Sequence, residues 1–199
     1  MKKVMAKFNI LLVVIAIVGS YYYVFTRDNQ LGLILKDASI LITITLPYII
    51  EKIFKTKISI IIKTTYIVFI FVAQFLGVTV ELYNMIHWFD KFTHWLSGII
   101  TALLSLSLLS KFKLYNKKYV LFNIIWMIAL TLAVASLWEC FEYIANMLFG
   151  GDAQRVVTTG VNDTMQDIIV AFIGSLIVSL VYIFECKTDN KGIINSFIY

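Results

Sequence analysis

The chain has 199 residues, of which 60% are apolar and 15% charged, and its mean hydropathy is +0.87. A water-soluble domain needs far more polar surface to cover its core, so this composition points to lipid as the solvent. The net charge of +5 does not indicate nucleic acid, because the basic residues are scattered over short loops and form no groove.

Residues 1–7 and the apolar run after them have the outline of a signal peptide. Tyr21, Tyr22 and Tyr23 stand where a small-residue cleavage site belongs, so an uncleaved first helix is expected. A membrane span needs about 20 mainly apolar residues. Six stretches supply them: 8–25, 33–50, 58–79, 92–109, 119–138 and 168–184. The second carries Lys36 and Asp37 at its start and Pro47 near its end, which snorkelling and a terminal kink accommodate. Gly and Pro are too scarce for a linker, and no internal repeat is present. The expected fold is all-α, a polytopic transmembrane bundle of about six helices forming a single membrane domain over residues 1–199.

Lys and Arg placement sets the orientation. Thirteen of the seventeen fall on one face of this topology, and only Arg27, Lys36, Lys91 and Arg155 fall on the other. Both termini should therefore be cytoplasmic. Cys140 and Cys186 come near opposite faces, so no disulfide between them is expected. Acidic residues show the reverse bias, which the positive-inside rule does not explain. Asp28, Asp37, Glu81, Asp90, Glu139, Glu142, Asp152, Asp163 and Asp167 lie on the outer side, against Glu51, Glu185 and Asp189 inside.

Three segments carry most of this acid. Asp90 and His94 are four apart and share a helical face at the entry to the fourth span. Glu139 and Glu142, three apart, share a face at the end of the fifth span, and Asp163 and Asp167 share one at the entry to the sixth. At about 1.5 Å of rise per residue, His94 and Asp167 each lie roughly 25 Å from the cytoplasmic ends of their helices. In a hydrocarbon core about 30 Å thick, that is about one turn beneath the outer boundary. Ionisable groups at that depth must be paired, face water or bind an ion. Each pair alone reads as a cap, a dipole partner or a solvated helix end, and Trp88, Trp95, Trp138 and Tyr143 read as an interfacial belt. The coincidence of three pairs at one depth argues for a shared polar site.

Asp90-Lys91-x-x-His94, a Glu-bearing helix, and Asp163-x-x-Gln166-Asp167-x-x-x-Ala171-x-x-Gly174 together resemble the VanZ-like membrane proteins. The chain resembles the YjdF type of bacterial inner-membrane protein more closely, over about residues 77–180. The resemblance implies that Asp90, His94, Glu139, Glu142, Asp163 and Asp167 occupy the family's polar positions. Lys91 stands where the YjdF type has Arg, and Gln166 is displaced by one residue, which turns a helical side chain by about 100°. VanZ-like proteins are associated with reduced susceptibility to teicoplanin, and the YjdF type implies no activity.

Three functions fit these residues. One is a hydrolase or transferase acting on a lipid-linked or phosphorylated envelope molecule. Asp90, His94, Glu139 and Asp167 would hold a divalent metal ion, with Glu142 or Asp163 as base. Another is a non-catalytic network in which Lys91 and Arg155 neutralise the acids and tie helices together. The third is a small-solute transporter, against which stand the apolar middles of the helices, Gln74 and Asn123 excepted. No nucleophile motif is present, since Ser97 near His94 is too weak a signal. Membrane lipids are the expected partners.

Overall fold

The computed structural model describes residues 2–26, 31–150, 152, 154, 156–188 and 192–198; of residues 31–38, 149 and 158 it describes the backbone alone. Every regular element among the described residues is helical. In chain order these are α1 (Lys2–Thr26), α2 (Leu31–Ile53) and α3 (Ile60–Ile70), which continues as a π-helix over Phe71–Thr79. A short α4 (Leu82–Met85) precedes α5 (Phe89–Lys111) and α6 (Val120–Phe149), and a short α7 (Val156–Thr159) precedes α8 (Asn162–Thr188). Five of the described helical segments are long and apolar enough to cross a membrane: α1, α3 with its π-helical continuation, α5, α6 and α8. The 23-residue α2 covers the remaining expected span. The chain is thus a polytopic helical bundle. Arg27, Asp28, Arg155, Asp189, Lys191 and the side chains of Lys36 and Asp37 lie outside the described residues.

The chain divides into two compact units, Met1–Asp90 and Lys91–Tyr199. The division falls in the first turn of α5, so Asp90 heads a helix whose remainder belongs to the second unit.

In the first unit, Leu12 and Ala16 of α1, Ile40 and Ile44 of α2, and Ile67 and Ile70 of α3 form a buried core with Phe75. Gly19 allows α1 its close approach, since a Cβ there would run into the Phe75 ring. Pro47 lies inside α2 and has no N–H to give the carbonyl of Thr43. The Tyr66 hydroxyl supplies the missing donor at 3.0 Å, so α3 satisfies a backbone group of α2. The Thr43 hydroxyl in turn donates to the Gln74 carboxamide on the π-helix. That helix closes with the Val80 N–H on the Phe75 carbonyl at 2.9 Å, and Glu81 then turns left-handed at φ 67°.

In the second unit α6 and α8 run antiparallel. Asn123 of α6 donates from Nδ2 to the Tyr182 hydroxyl of α8 at 2.7 Å, within a core that includes Ala102, Leu106, Met127 and Val178. The helix α6 continues well beyond Trp138, because residues 139–149 contain no breaker until Gly150, at φ 73°, ends it. The loss of hydropathy at Glu139 marks a polar patch on this helix and leaves the helix unbroken. Residues 192–198 fold back on the other end of the unit, where the Ile194 N–H meets the Glu185 carboxylate at 3.2 Å and the Ser107 hydroxyl donates to the Phe197 carbonyl. Cys140 is exposed and Cys186 half-buried, and both are free thiols.

Glu51, one residue past the expected second span, accepts from the Ile58 N–H at 2.7 Å and from Lys63 Nζ at 2.8 Å. Burial raises its pKa, but the Lys63 ammonium and the Ile58 N–H outweigh that and hold it below its ordinary 4.5. Its folded pKa is depressed, so the stabilisation is present above the ordinary carboxyl range and is lost as pH falls through the folded pKa. Glu51→Gln should lower thermal stability in detergent by about 1 kcal/mol at neutral pH. In acid the two melting curves should converge, and a gap that stayed constant with pH would contradict this account.

Candidate functional site

The first turns of α5 and α8 lie side by side, and the reason is steric. A Cβ at Gly98 would collide with the backbone of Ala171, and one at Gly174 would collide with the Trp95 carbonyl. These glycines let the two backbones touch, as small residues do where helices pack without water. One turn before Gly98 stands His94, and one turn before Ala171 stands Asp167. Backbone contact at one level therefore presses polar side chains together at the next.

Lys91 sits at the centre of what results. Its Nζ lies 2.6 Å from Asp163 Oδ1 and 2.8 and 2.9 Å from the two oxygens of Asp167. Both carboxylates are buried, while the Lys91 side chain keeps 23% of its accessibility. His94 is buried too, with Nε2 at 3.9 Å from Asp167 Oδ1. Asp90, His94 and Asp167 each offer one ligand atom, and these atoms lie within 4.8 Å of one another. Two carboxylate oxygens and one imidazole nitrogen form a hard donor set suited to Mg²⁺, Mn²⁺ or Zn²⁺.

Glu139 is buried on α6 but is held differently from the expected fourth ligand. Gln154, in the connection after α6, donates from Nε2 to the Glu139 carbonyl at 2.9 Å and to its carboxylate at 3.3 Å. The same nitrogen reaches Thr164 Oγ1 on α8 at 3.4 Å. Gln154 is itself buried and links α6 to α8 beside the Asp163–Asp167 turn. Its polarity and its loop position hide it from any reading of periodicity. Glu142 is only half-buried and accepts from Trp138 Nε1 at 2.8 Å. Glu139 and Glu142 thus share a helix but not an environment. Gln166 is exposed, as its one-residue displacement requires, and His87 is exposed in the turn before α5. Ser97 donates to the His94 carbonyl at 2.7 Å, a bond within its own helix. The side chain of Arg155, expected as a second counter-charge, lies outside the described residues.

Gly98→Ala should cost about 2 kcal/mol of stability by forcing α5 from α8. Glu139→Ala should cost a similar amount, about 2 kcal/mol, by emptying a buried position and removing one of the bonds that Gln154 makes, whereas Glu142→Ala should stay within about 0.5 kcal/mol. Thermal melts of the three purified variants in one detergent check this ranking, and equal losses for Glu139 and Glu142 would refute it.

The family described as "Predicted membrane protein (DUF2238)" matches the chain over residues 8–187. Neither the curated proteins nor the solved structures yield a match.

Proposed function

For a chain that belongs to the DUF2238 family of predicted membrane proteins, the family of the YjdF type, we propose a function as a multi-pass protein of the bacterial plasma membrane that binds a divalent metal ion. Asp90, His94 and Asp167 are its ligands, at the outer face of the bilayer. The observation that carries this reading is the convergence of three ligand atoms from two helices within 4.8 Å. Charge supports it. Asp163 and Asp167 are buried carboxylates that already hold the Lys91 ammonium, and a divalent cation suits carboxylates gathered where burial makes charge costly.

Bound there, such an ion would polarise a phosphoryl or carbonyl oxygen and lower the pKa of a water molecule. The reading extends to a lipid-linked or phosphorylated envelope molecule as the substrate, met where head groups lie, with Asp163 or Glu142 as the candidate base. Kinship with the VanZ-like proteins is part of the same proposal and rests on the Asp90-Lys91-x-x-His94 and Asp163-to-Gly174 patterns.

A second reading is favoured by one observation, the Lys91 ammonium lodged between Asp163 and Asp167. On that reading the cluster is a structural network and needs no metal. Metal analysis of the purified full chain separates the two. The metal reading expects a stoichiometric divalent ion that EDTA removes with a fall in melting temperature, restored by one particular metal. The combined Asp90→Asn, His94→Ala, Asp167→Asn variant should bind none. If EDTA leaves both metal content and melting temperature unchanged, the network reading stands instead.

A further inference from the structure

Neither oxygen of Asp167 is without the lysine. Nζ of Lys91 lies 2.8 Å from Oδ1 and 2.9 Å from Oδ2, and Oδ1 is also the oxygen nearest His94 Nε2, at 3.9 Å. An ion coordinated by Asp167 at about 2.0–2.2 Å therefore shares its carboxylate with a full positive charge. Two cations on one carboxylate, in a setting with little water to screen them, repel strongly. One must move, and Lys91 is built to do so. It is the third residue of α5, its stem is flexible, and its side chain is only partly buried. Asp163 Oδ1, at 2.6 Å, and the Asp163 carbonyl, at 3.5 Å, already hold the same ammonium on the side towards the helix start.

We propose that Lys91 is the resident cation of the site and that a divalent metal enters by displacing it from Asp167 onto Asp163. The proposal rests on the metal-site reading above and gives that site its regulation. Metal affinity is the outcome of a competition within the protein. The ammonium keeps the helix starts of α5 and α8 tied in the metal-free protein, and Asp163 is the position to which it withdraws. A cation of one charge gains too little from Asp167 to drive the exchange, so the lysine also selects for divalent ions.

The test is titration of the EDTA-stripped full chain in detergent with Mn²⁺, Zn²⁺ and Mg²⁺, for the wild type, Lys91→Gln and Lys91→Arg. A hydrogen bond to a charged group is removed by Lys91→Gln, so the metal that the wild type binds should bind about tenfold or more tightly. The metal-free Lys91→Gln protein should melt lower than the wild type, and metal should raise its melting temperature by more. Lys91→Arg keeps the charge and grips a carboxylate with two donors, so its affinity should fall several-fold. This variant decides the matter should Lys91→Gln fail to fold. Equal or weaker metal binding by Lys91→Gln, or unchanged binding by Lys91→Arg, overturns the displacement while leaving the metal site standing. If no protein in the set binds any of the three metals, the metal-site reading and the displacement fall together.

Discussion

Two buried carboxylates on α8 and one ammonium from α5 govern the second unit of this protein. In lipid, a carboxylate with no partner is far costlier than in water, and Asp163 and Asp167 lie within hydrogen-bond reach of Lys91. That reach is only as long as a lysine stem, so the two helices must start close together. They can do so because Gly98 and Gly174 remove the side chains that would hold the backbones apart. The charge cluster and the glycine contact are one device at two levels of the same helix pair. Its α6 component is lighter, a buried glutamate reached through Gln154.

The first unit solves the same problem of burial in lipid by other means. Its interior is held by aliphatic side chains and by hydrogen bonds that repair its own irregularities. The Thr43 carbonyl, deprived of a helical donor by Pro47, takes the Tyr66 hydroxyl. The Thr43 hydroxyl donates to the Gln74 carboxamide on the π-helical stretch of the neighbouring span. The proline is tolerated because the carbonyl it deprives of a donor lies within reach of a neighbouring helix. Just past the second span, Glu51 joins Lys63 in an ion pair.

The same spacing rule was informative at one place and silent at another. Asp90 with His94, and Asp163 with Asp167, lie four apart and do converge, because a single face of each helix meets its neighbour. Glu139 and Glu142 lie three apart and do not behave alike. The interface with α8 is narrower than a helical face, so Glu139 is buried while Glu142 stays with Trp138 near the surface. Lys91 was legible as a counter-charge, yet its neighbourhood in sequence does not reveal that it grips both carboxylates at once. Gln154 was not legible at all, because a polar residue in a connection carries no periodic signal.

What the sequence by itself determined was the solvent, the helical class, and the residues dense enough in charge to form a site. Those follow from composition and from a helical repeat, which are local properties of the chain. Only the tertiary structure decided which acids meet, that Lys91 stands between two of them, and that Glu139 meets Gln154. These depend on the distance between helices and on the rotation of each about its axis. Both are set by where two glycines let backbones touch, a contact between residues more than seventy positions apart.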